Sequence, residues 1–406
     1  MEVIESLFSK ALKLGSPWEI SKIEFKEQEG RINVFIDFPK GSVFWCPKCG
    51  KEVKAYDTAE KHWRHLNFFQ YACYLVVRAP RTDCKDDGIL QVEVPWARDS
   101  ADFTLLFESF AMTLCREMPV NKVSQIIGVD DNKLWRMMSY YTELEDYSEV
   151  SKIGVDETSK RKGHDYVSLF VDLDGKRTIF VAEGKGAETV SAFKQDFMGH
   201  GGRPDDITDA SIDMSPAFIK GIGENFPQAE ITFDKFHVLK IINQAVDEVR
   251  KAEVKEQEIL RGQKYLFLKN RNNLTKAQEK SLKAIESLPR LNLKTVRAYH
   301  IRENFQDIYL EKTPEDFERS LKKWYFWATH CRIEAMKEAA KTIKRHWSGV
   351  LRWFASKVSN GILEGLNSLV QAAKAKARGY KTFKNLKTII YMLTGKLDYT
   401  KVGLPT

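Results

Sequence analysis

No apolar run in this sequence approaches the roughly 18 residues that a membrane-crossing helix needs, and no leader-peptide pattern opens it. A soluble, cytoplasmic protein with no membrane partner is therefore expected. Cysteine is scarce, six residues in 406, and its spacing is not that of a disulfide-stapled secreted domain. What remains is a globular composition, 43% hydrophobic and 30% charged, with room for two to four domains. The formal net charge of +8 favours an anionic partner. Spread evenly, that charge would be ordinary surface; here it is concentrated. From Asn367 onward the basic residues Lys374, Lys376, Arg378, Lys381, Lys384, Lys387, Lys396 and Lys401 stand against the single acid Asp398.

Three of the 56 acidic residues stand out by their settings. Asp156 ends the apolar run Ile153-Gly154-Val155, Asp213 follows a candidate strand from Ile207 to Ile212, and Glu364 lies in a helix opening at Ser359-Asn360-Gly361. Around them, Tyr166–Asp172 and Arg177–Ala182 read as a hairpin about the turn 173–176. Ala187–Met198 has helical periodicity with Val190, Phe193 and Phe197 on one side, a second helix spans Ser215–Phe226, and a short strand over 229–233 ends at Asp234. The order is β-β-β-α-β-α-β-α. Carboxylates converging from distant sequence suit two-metal phosphodiester chemistry, with ions about 3.5–4 Å apart activating the attacking oxygen and stabilising the leaving one. Hard oxygen donors select Mg²⁺ or Mn²⁺. No tyrosine or serine nucleophile motif competes with that reading. Glu157 competes with Asp156, but strand side chains alternate, so one of the two faces the site. Asp206 and Asp209 compete with Asp213. Glu364 shares a helical face with Asn367, Ser368 and Gln371, opposite Leu363, Leu366 and Val370.

Nearer the start, Cys46 and Cys49 form a CPKCG knuckle whose Pro and Gly favour a turn that aims two thiolates at one zinc ion. Cys115 and Cys331 sit in apolar helical contexts and are expected in the core. A helix over 102–117, a second over Pro119–Ile127, a turn at Gly128-Val129-Asp130 and a third helix over Asp131–Tyr141 follow the helix-turn-helix pattern. The third would be the recognition helix, offering Asn132, Lys133, Arg136 and Ser139 to a major groove. Leu134, Trp135 and Met138 would face the core. Beyond a helix from Phe236 to Leu260, the segment to about residue 345 reads as mostly helical. It carries a capping-box-like Thr275-Lys276-Ala277-Gln278 and an N-cap with Pro at Thr313-Pro314-Glu315. Its Trp324, Tyr325, Phe326 and Trp327, with Trp347 beyond, are at core-like spacing, while one of them stacking on an unpaired base is the sharper reading.

Together, Gly154-Val155-Asp156-Glu157 with Arg161-Lys162-Gly163-His164, Asp213-Met214-Ser215-Pro216, Phe233 to Val238, and Ser359 to Asn367 with Arg378-Gly379-Tyr380 resemble bacterial insertion-sequence transposases of the acidic-triad (DDE) type, of the ISL3 family. The likeness covers nearly the whole chain, from Asp37–Gly41 and Cys46–Cys49 onward. It implies an α/β multidomain protein: N-terminal zinc-knuckle and helix-turn-helix modules, then a ribonuclease H-like catalytic domain interrupted by an all-helical insertion. It implies Asp156, Asp213 and Glu364 as the catalytic acids holding two Mg²⁺ (or Mn²⁺), with Asp234 and His237 supporting them. The family has a second knuckle at the position of Cys84, with Cys or His three residues on; this chain has Asp87 there. A structural Zn²⁺ is expected on Cys46, Cys49, Cys84 and Asp87, with His62, His65 and Cys73 as alternative ligands. A metal-free knuckle held by Trp45, Trp63 and Phe68 is the competing expectation.

The expected divisions are 1–95 (zinc knuckle), 96–148 (helix-turn-helix), 149–240 (first part of the catalytic core), 241–345 (helical insertion) and 346–406 (third acid and basic helices). The expected function is binding of terminal inverted repeats, metal-dependent cleavage and strand transfer into target DNA. Lys374, Lys376 and Arg378 would join Asn132, Lys133 and Arg136 on double-stranded DNA. A dimer or higher oligomer on DNA and nucleoid association are expected. A DNA-binding regulator without catalysis, an inactive copy, and a structure-specific nuclease or resolvase on the same fold are the alternatives.

Overall fold

Between residues 19 and 91 the chain folds mostly as strands, and along 52–62 more and less exposed side chains alternate. Helix α1 (Glu2–Ala11) precedes β1 (Glu19–Lys26), β2 (Arg31–Asp37), β3 (Val43–Trp45), β4 (Glu52–Arg64), β5 (Ala72–Cys84) and β6 (Gly88–Gln91). They form one six-stranded sheet, β1-β2-β5-β4-β3 with β6 on β5. The computed structural model describes residues 2–159, 166–287, 293–356 and 361–397. It divides into two units, Met1–Glu145 with Lys374–Thr406, and Asp146–Ala373.

The first unit is better cored than the sequence suggested. Beyond Trp45, Trp63, Phe68, Phe69 and Tyr71, little core was expected around the knuckle. Instead Phe8, Trp18, Ile32, Val34, Leu75 and Trp96 make a continuous core. Trp63 belongs to it at 6% exposure, while Trp45 and Phe69 are 64% and 81% exposed. The reason is that β2 and β5 pair in parallel, Ile32 opposite Cys73 and Val34 opposite Leu75. Local periodicity carries no signal for a pairing that spans the whole hairpin between them.

Three helices follow, α2 (Leu105–Glu117), α3 (Val120–Ile127) and α4 (Asp131–Tyr141). Thr104 caps α2 by accepting from the Phe107 N–H, so the helix starts three residues later than expected. Gly128 ends α3 at φ +66, a left-handed conformation that suits glycine. Asp130 caps α4 by accepting from the Asn132 N–H at 2.9 Å. Leu134, Met137 and Met138 are the buried face of α4. Trp135, expected in that core, is half-buried with its ring edge-on to Tyr380. The final helix, Phe383–Thr394, packs against α2 and α4, whereas the sequence division attached it to the segment of the third acid.

The second unit opens on β7 (Lys152–Ser159), β8 (Tyr166–Asp172) and β9 (Arg177–Glu183), an antiparallel meander. Then come α5 (Ala187–Gly199), β10 (Asp209–Ile212), α6 (Pro216–Asn225), β11 (Glu230–Phe233) and α7 (Lys235–Glu253). The strand order is β11-β10-β7-β8-β9, with β10 parallel to both its neighbours. This is the expected order of elements. Phe193 of α5 stacks on Phe170 of β8 at 4.5 Å between centroids and lies 5.6 Å from Phe226. Each such fully buried ring contributes about 1.5–3 kcal/mol by area.

Beyond α7, which stops at Glu253 and not at Leu260, the chain is helical: α8 (Lys264–Leu268), α9 (Lys276–Glu286), α10 (Lys294–Ile308), α11 (Pro314–His330), α12 (Glu334–Arg345), α13 (Trp347–Ser356) and α14 (Gly361–Ala377). The capping box at Thr275 and Gln278 is present, and Thr313 caps α11 with Pro314 at its first turn. α10 and α12 pack on α7, and α13 packs on β11. Arg352 fixes α13 to the sheet by pairing with Asp209 at 2.8 Å and with Glu230. Trp324 is wholly buried, donating its indole N–H to the Ile301 carbonyl at 2.9 Å, and is a core residue.

Candidate active site and metal centre

Parallel pairing lines up the carboxyl ends of three strands. Ser211 of β10 lies opposite Gly154 of β7, and Ile212 lies opposite Phe233 of β11. Continuing each register past the end of β10 sets Asp213 beside Asp156 on one side and beside Asp234 on the other. The Asp234 N–H also donates to the Ile212 carbonyl at 3.1 Å. The outcome is a row of three aspartates across adjacent strands. Asp156 is not at the end of its own strand, as the apolar run suggested. β7 runs on to Ser159 along β8, and Asp156 is uncovered because β10 stops short.

The opposite wall is α14, which lies along β7 in matched steps. A side chain at Gly154 would meet Leu363, at 3.2 Å. Asn367 Nδ2 donates to Asp156 Oδ2 at 2.6 Å, and Gln371 Nε2 donates to Thr158 Oγ1 at 2.6 Å. Four helical residues advance about 6 Å and two strand residues about 6.6 Å, so positions 363, 367 and 371 meet 154, 156 and 158 in turn. Glu364, one turn before Asn367, is exposed on this helix.

Burial pushes the Asp156 carboxyl above its ordinary range, and the charges of Asp234 and Asp213 push the same way. Glu157 is raised too, by burial and then by Asp213, so side-chain alternation does not remove it from this field. Asp234 caps α7 and accepts from His237 Nδ1 at 2.8 Å. That bond raises the His237 imidazole, with Asp156 and Asp213 adding to it. Among the described residues no Lys or Arg pairs with Asp156 or Asp213. Crowded carboxylates offering only oxygen, without a basic partner, suit a hard divalent cation. Their ligand atoms, taken with Glu364, do not all lie within 4.8 Å of one another; among the described residues one other set does. Ser359-Asn360, Arg161–His164, Asp398 and Lys401 lie outside the described residues.

That set is Cys46, Cys49, Cys84 and Asp87. The first knuckle is the turn between β3 and β4, closed by the Gly50 N–H on the Cys46 carbonyl at 2.9 Å. The second is the β5–β6 hairpin, where Cys84 pairs with Gly88. Cys46 Sγ stands 3.4 Å from Asp87 Oδ2, and Cys49 Sγ 3.5 Å from Cys84 Sγ. The backbone N–H of Asp86 lowers the Cys84 thiol towards the thiolate. Three thiols and one carboxylate at mutual contact fit a tetrahedral zinc site. The alternative ligands are elsewhere: His62 contacts Glu60, His65 contacts Thr104 Oγ1 at 2.8 Å, and Cys73 is in the sheet core.

On α4, Asn132 is exposed, and Lys133 and Arg136 share Asp102 at 3.1 and 3.4 Å. Exposed pairs of this kind are worth about 0–1 kcal/mol, so a phosphate can displace the carboxylate. Lys376 donates to the Glu117 carbonyl at the end of α2, a helix C-terminus that attracts cations. Burial lowers Lys374, and Arg378 follows α14 in a left-handed conformation at φ +57. Sequence reasoning missed the buried Glu108, which meets Arg98 at 2.9 Å and the Tyr141 hydroxyl; a lone helical glutamate gives no sign of burial.

A helix-turn-helix, a ribbon with four side chains that could hold a metal ion and a row of carboxylates across adjacent strands are the parts of a protein that rearranges DNA. Residues 153–390 match the family model described as transposase in its ISL3 form. Residues 92–142 match the helix-turn-helix domain of transposase family ISL3, and residues 42–87 match the zinc-finger of transposases IS204, IS1001, IS1096 and IS1165. The chain is similar to the transposase for insertion sequence element IS1557 of Mycobacterium tuberculosis (strain ATCC 25618 / H37Rv), 27% identical over 418 residues, spanning 93% of this chain and 92% of the relative. It is also similar to the transposase for IS1001 of Bordetella parapertussis, 24% identical over 381 residues, spanning 89% and 91%. The chain belongs to the ISL3 family of insertion-sequence transposases, and its work is DNA transposition. No described helix is long and apolar enough to cross a membrane.

Proposed function

We propose that this transposase cuts the ends of its element and joins the freed 3′-hydroxyl to target DNA at a site made of Asp156, Asp213 and Glu364. The sheet order, three antiparallel strands with two more parallel to the first, supports a ribonuclease H-like core, and α8 to α12 belong to its helical insertion over 241–345. The carrying observation is the matched step of α14 on β7, which brings the helix of Glu364 onto Asp156 through Asn367. Two Mg²⁺ ions held by these carboxylates would supply activation of the attacking oxygen and stabilisation of the leaving one. The chain's own part is orientation. Asn367 fixes one Asp156 oxygen while the Glu157 N–H holds the other at 2.8 Å, and the Ser215 N–H holds Asp213 at 2.9 Å. Fixed ligand carboxylates raise the affinity and precision of a metal site.

The end repeats are read by α4, with Asn132, Lys133 and Arg136 at the groove and Lys374 and Arg378 on the backbone. A structural Zn²⁺ sits on Cys46, Cys49, Cys84 and Asp87, and the active form is a dimer or larger on DNA. The proposed five-part division is 1–95, 96–148, 149–240, 241–345 and 346–406, with the last helix of the fifth part packed on α2 and α4 of the second. The test is Asp156→Asn, Asp213→Asn and Glu364→Gln on a labelled duplex carrying the element's end. Each is expected to abolish nicking in Mg²⁺ while end binding survives. Wild-type cleavage by any one removes that residue from the site.

A further inference from the structure

A cleft of about 720 Å³ runs along one side of α7, between it and α8 and α10. Its mouth is Phe236, 49% exposed, two residues after Asp234 and with its N–H on the Asp234 carboxylate. Its wall is Arg302, only 1% exposed, which is paired with Glu303 and donates to the Leu268 and Lys269 carbonyls. Arg302 holds two carboxamides by their oxygens, Asn243 at 2.8 Å and Asn270 at 2.9 Å. The Nδ2 of each has no protein partner among the described residues. Gln306 donates to the same Asn270 oxygen at 2.7 Å, which leaves its own carbonyl open. Gln244 completes a lining of four carboxamides. Lys240 and Lys264 line the cleft with no acid paired to either among the described residues; of its two carboxylates, Asp247 is already neutralised by Arg250 and Lys251, which leaves Glu248 against the two lysines.

An exposed ring at the mouth, open amide donors and acceptors within and unpaired ammonium groups are the recognition chemistry of a nucleotide. The ring stacks on a base, the amides meet a base edge and the lysines meet phosphate. We propose that this cleft holds one unpaired nucleotide of the DNA strand being processed beside Asp156 and Asp213, a reading that rests on the function proposed above. A free mononucleotide would offer the same chemistry, but Phe236 is two residues from Asp234, beside the aspartates on which the proposed function places a DNA strand.

The experiment uses the full chain and the duplex formed by the DNA flanking its gene. 2-Aminopurine is placed at successive positions around the cleavage point, and binding is read in Ca²⁺. One position is expected to change its fluorescence severalfold, and Phe236→Ala is expected to remove that change. Phe236→Ala should also slow cleavage of a fully paired end by roughly ten-fold or more. On an end mismatched at the responding position, where no pair has to open, the defect should shrink to about two-fold. Phe236→Tyr should behave as wild type. No responding position, or an equal defect on paired and mismatched ends, overturns the proposal, as does a melting shift with millimolar dAMP when no DNA position responds. Asp156→Asn separates the two readings: cleavage by that variant would sink the catalytic assignment, whereas its 2-aminopurine signal, with chemistry blocked, reports on the cleft alone.

Discussion

Gly154 is a position where the helix of Glu364 packs tightly on the strand of Asp156. A Cβ there would lie 2.9 Å from Leu173 Cδ2 and 3.2 and 3.3 Å from the two Leu363 methyls. Relaxed carbon contacts are about 3.5–4.0 Å. One methyl, as in Gly154→Ala, can be absorbed by rotation of the leucine tips. Gly154→Val cannot, since its two extra methyls meet leucines on both sides, and α14 must retreat by about 0.5–1 Å. Overpacking of this kind costs about 1–3 kcal/mol, roughly 2–12 °C in Tm for a unit of this size. A reacting group displaced by about 1 Å loses on the order of 100-fold in rate. Single-turnover cleavage of a labelled end, beside a thermal melt, reads both. Leu363→Ala in the valine background should return part of the loss, with a coupling of about 0.5–3 kcal/mol in a double-mutant cycle. Wild-type cleavage by Gly154→Val, or no coupling to Leu363, would refute the claim that this close approach positions the third acid.

Cys46→Ser is expected to release the zinc by elemental analysis and to open the knuckles to protease, while the main melt barely moves because the Trp18–Trp63–Trp96 core is built elsewhere. Less than about a tenth of an equivalent of zinc in the wild-type protein would end the ribbon's metal assignment. Burial holds the His65 imidazole down at about 4, so the unfolded chain binds the extra proton. Stability is full above about pH 6.5 and declines towards pH 4, by at most about 3 kcal/mol, and His65→Gln should flatten urea midpoints across that window. Arg136→Ala should weaken repeat binding by about 1–3 kcal/mol with relaxed sequence preference if it reads a base, and equally on all sequences if it holds phosphate. Unchanged affinity moves recognition to another element.

The second unit was the more legible in sequence, because its signals are local. The β8–β9 hairpin has a turn between two alternating runs, Thr275 and Thr313 carry capping patterns, and α5 shows its Val190-Phe193-Phe197 stripe. The acids were legible only through resemblance, since nothing local tells Asp156 from Glu157 or Asp213 from Asp209. What stayed hidden depends on distant pairing. The N-terminal sheet rests on β2 beside β5, the burial of Glu108 on Arg98 and Tyr141, and the placing of Trp135 on Tyr380. The α7 cleft was hidden for the same reason, as its carboxamides come from two helices and the segment after α8 and read singly as surface.

The hydrogen bond between Asn367 and Asp156 joins positions 211 residues apart. A ribosome adding about 5–20 residues per second takes on the order of 10–40 s to cover that distance. For most of that interval α2, α3 and α4 are outside the tunnel, while the helix of Glu364 has not been made. A product ended early by a frameshift or stop within those residues would keep α2, α3 and α4 but lose both the helix of Glu364 and the Phe383–Thr394 helix that packs on them. The reading unit and the cutting unit therefore wait for the same last stretch of chain.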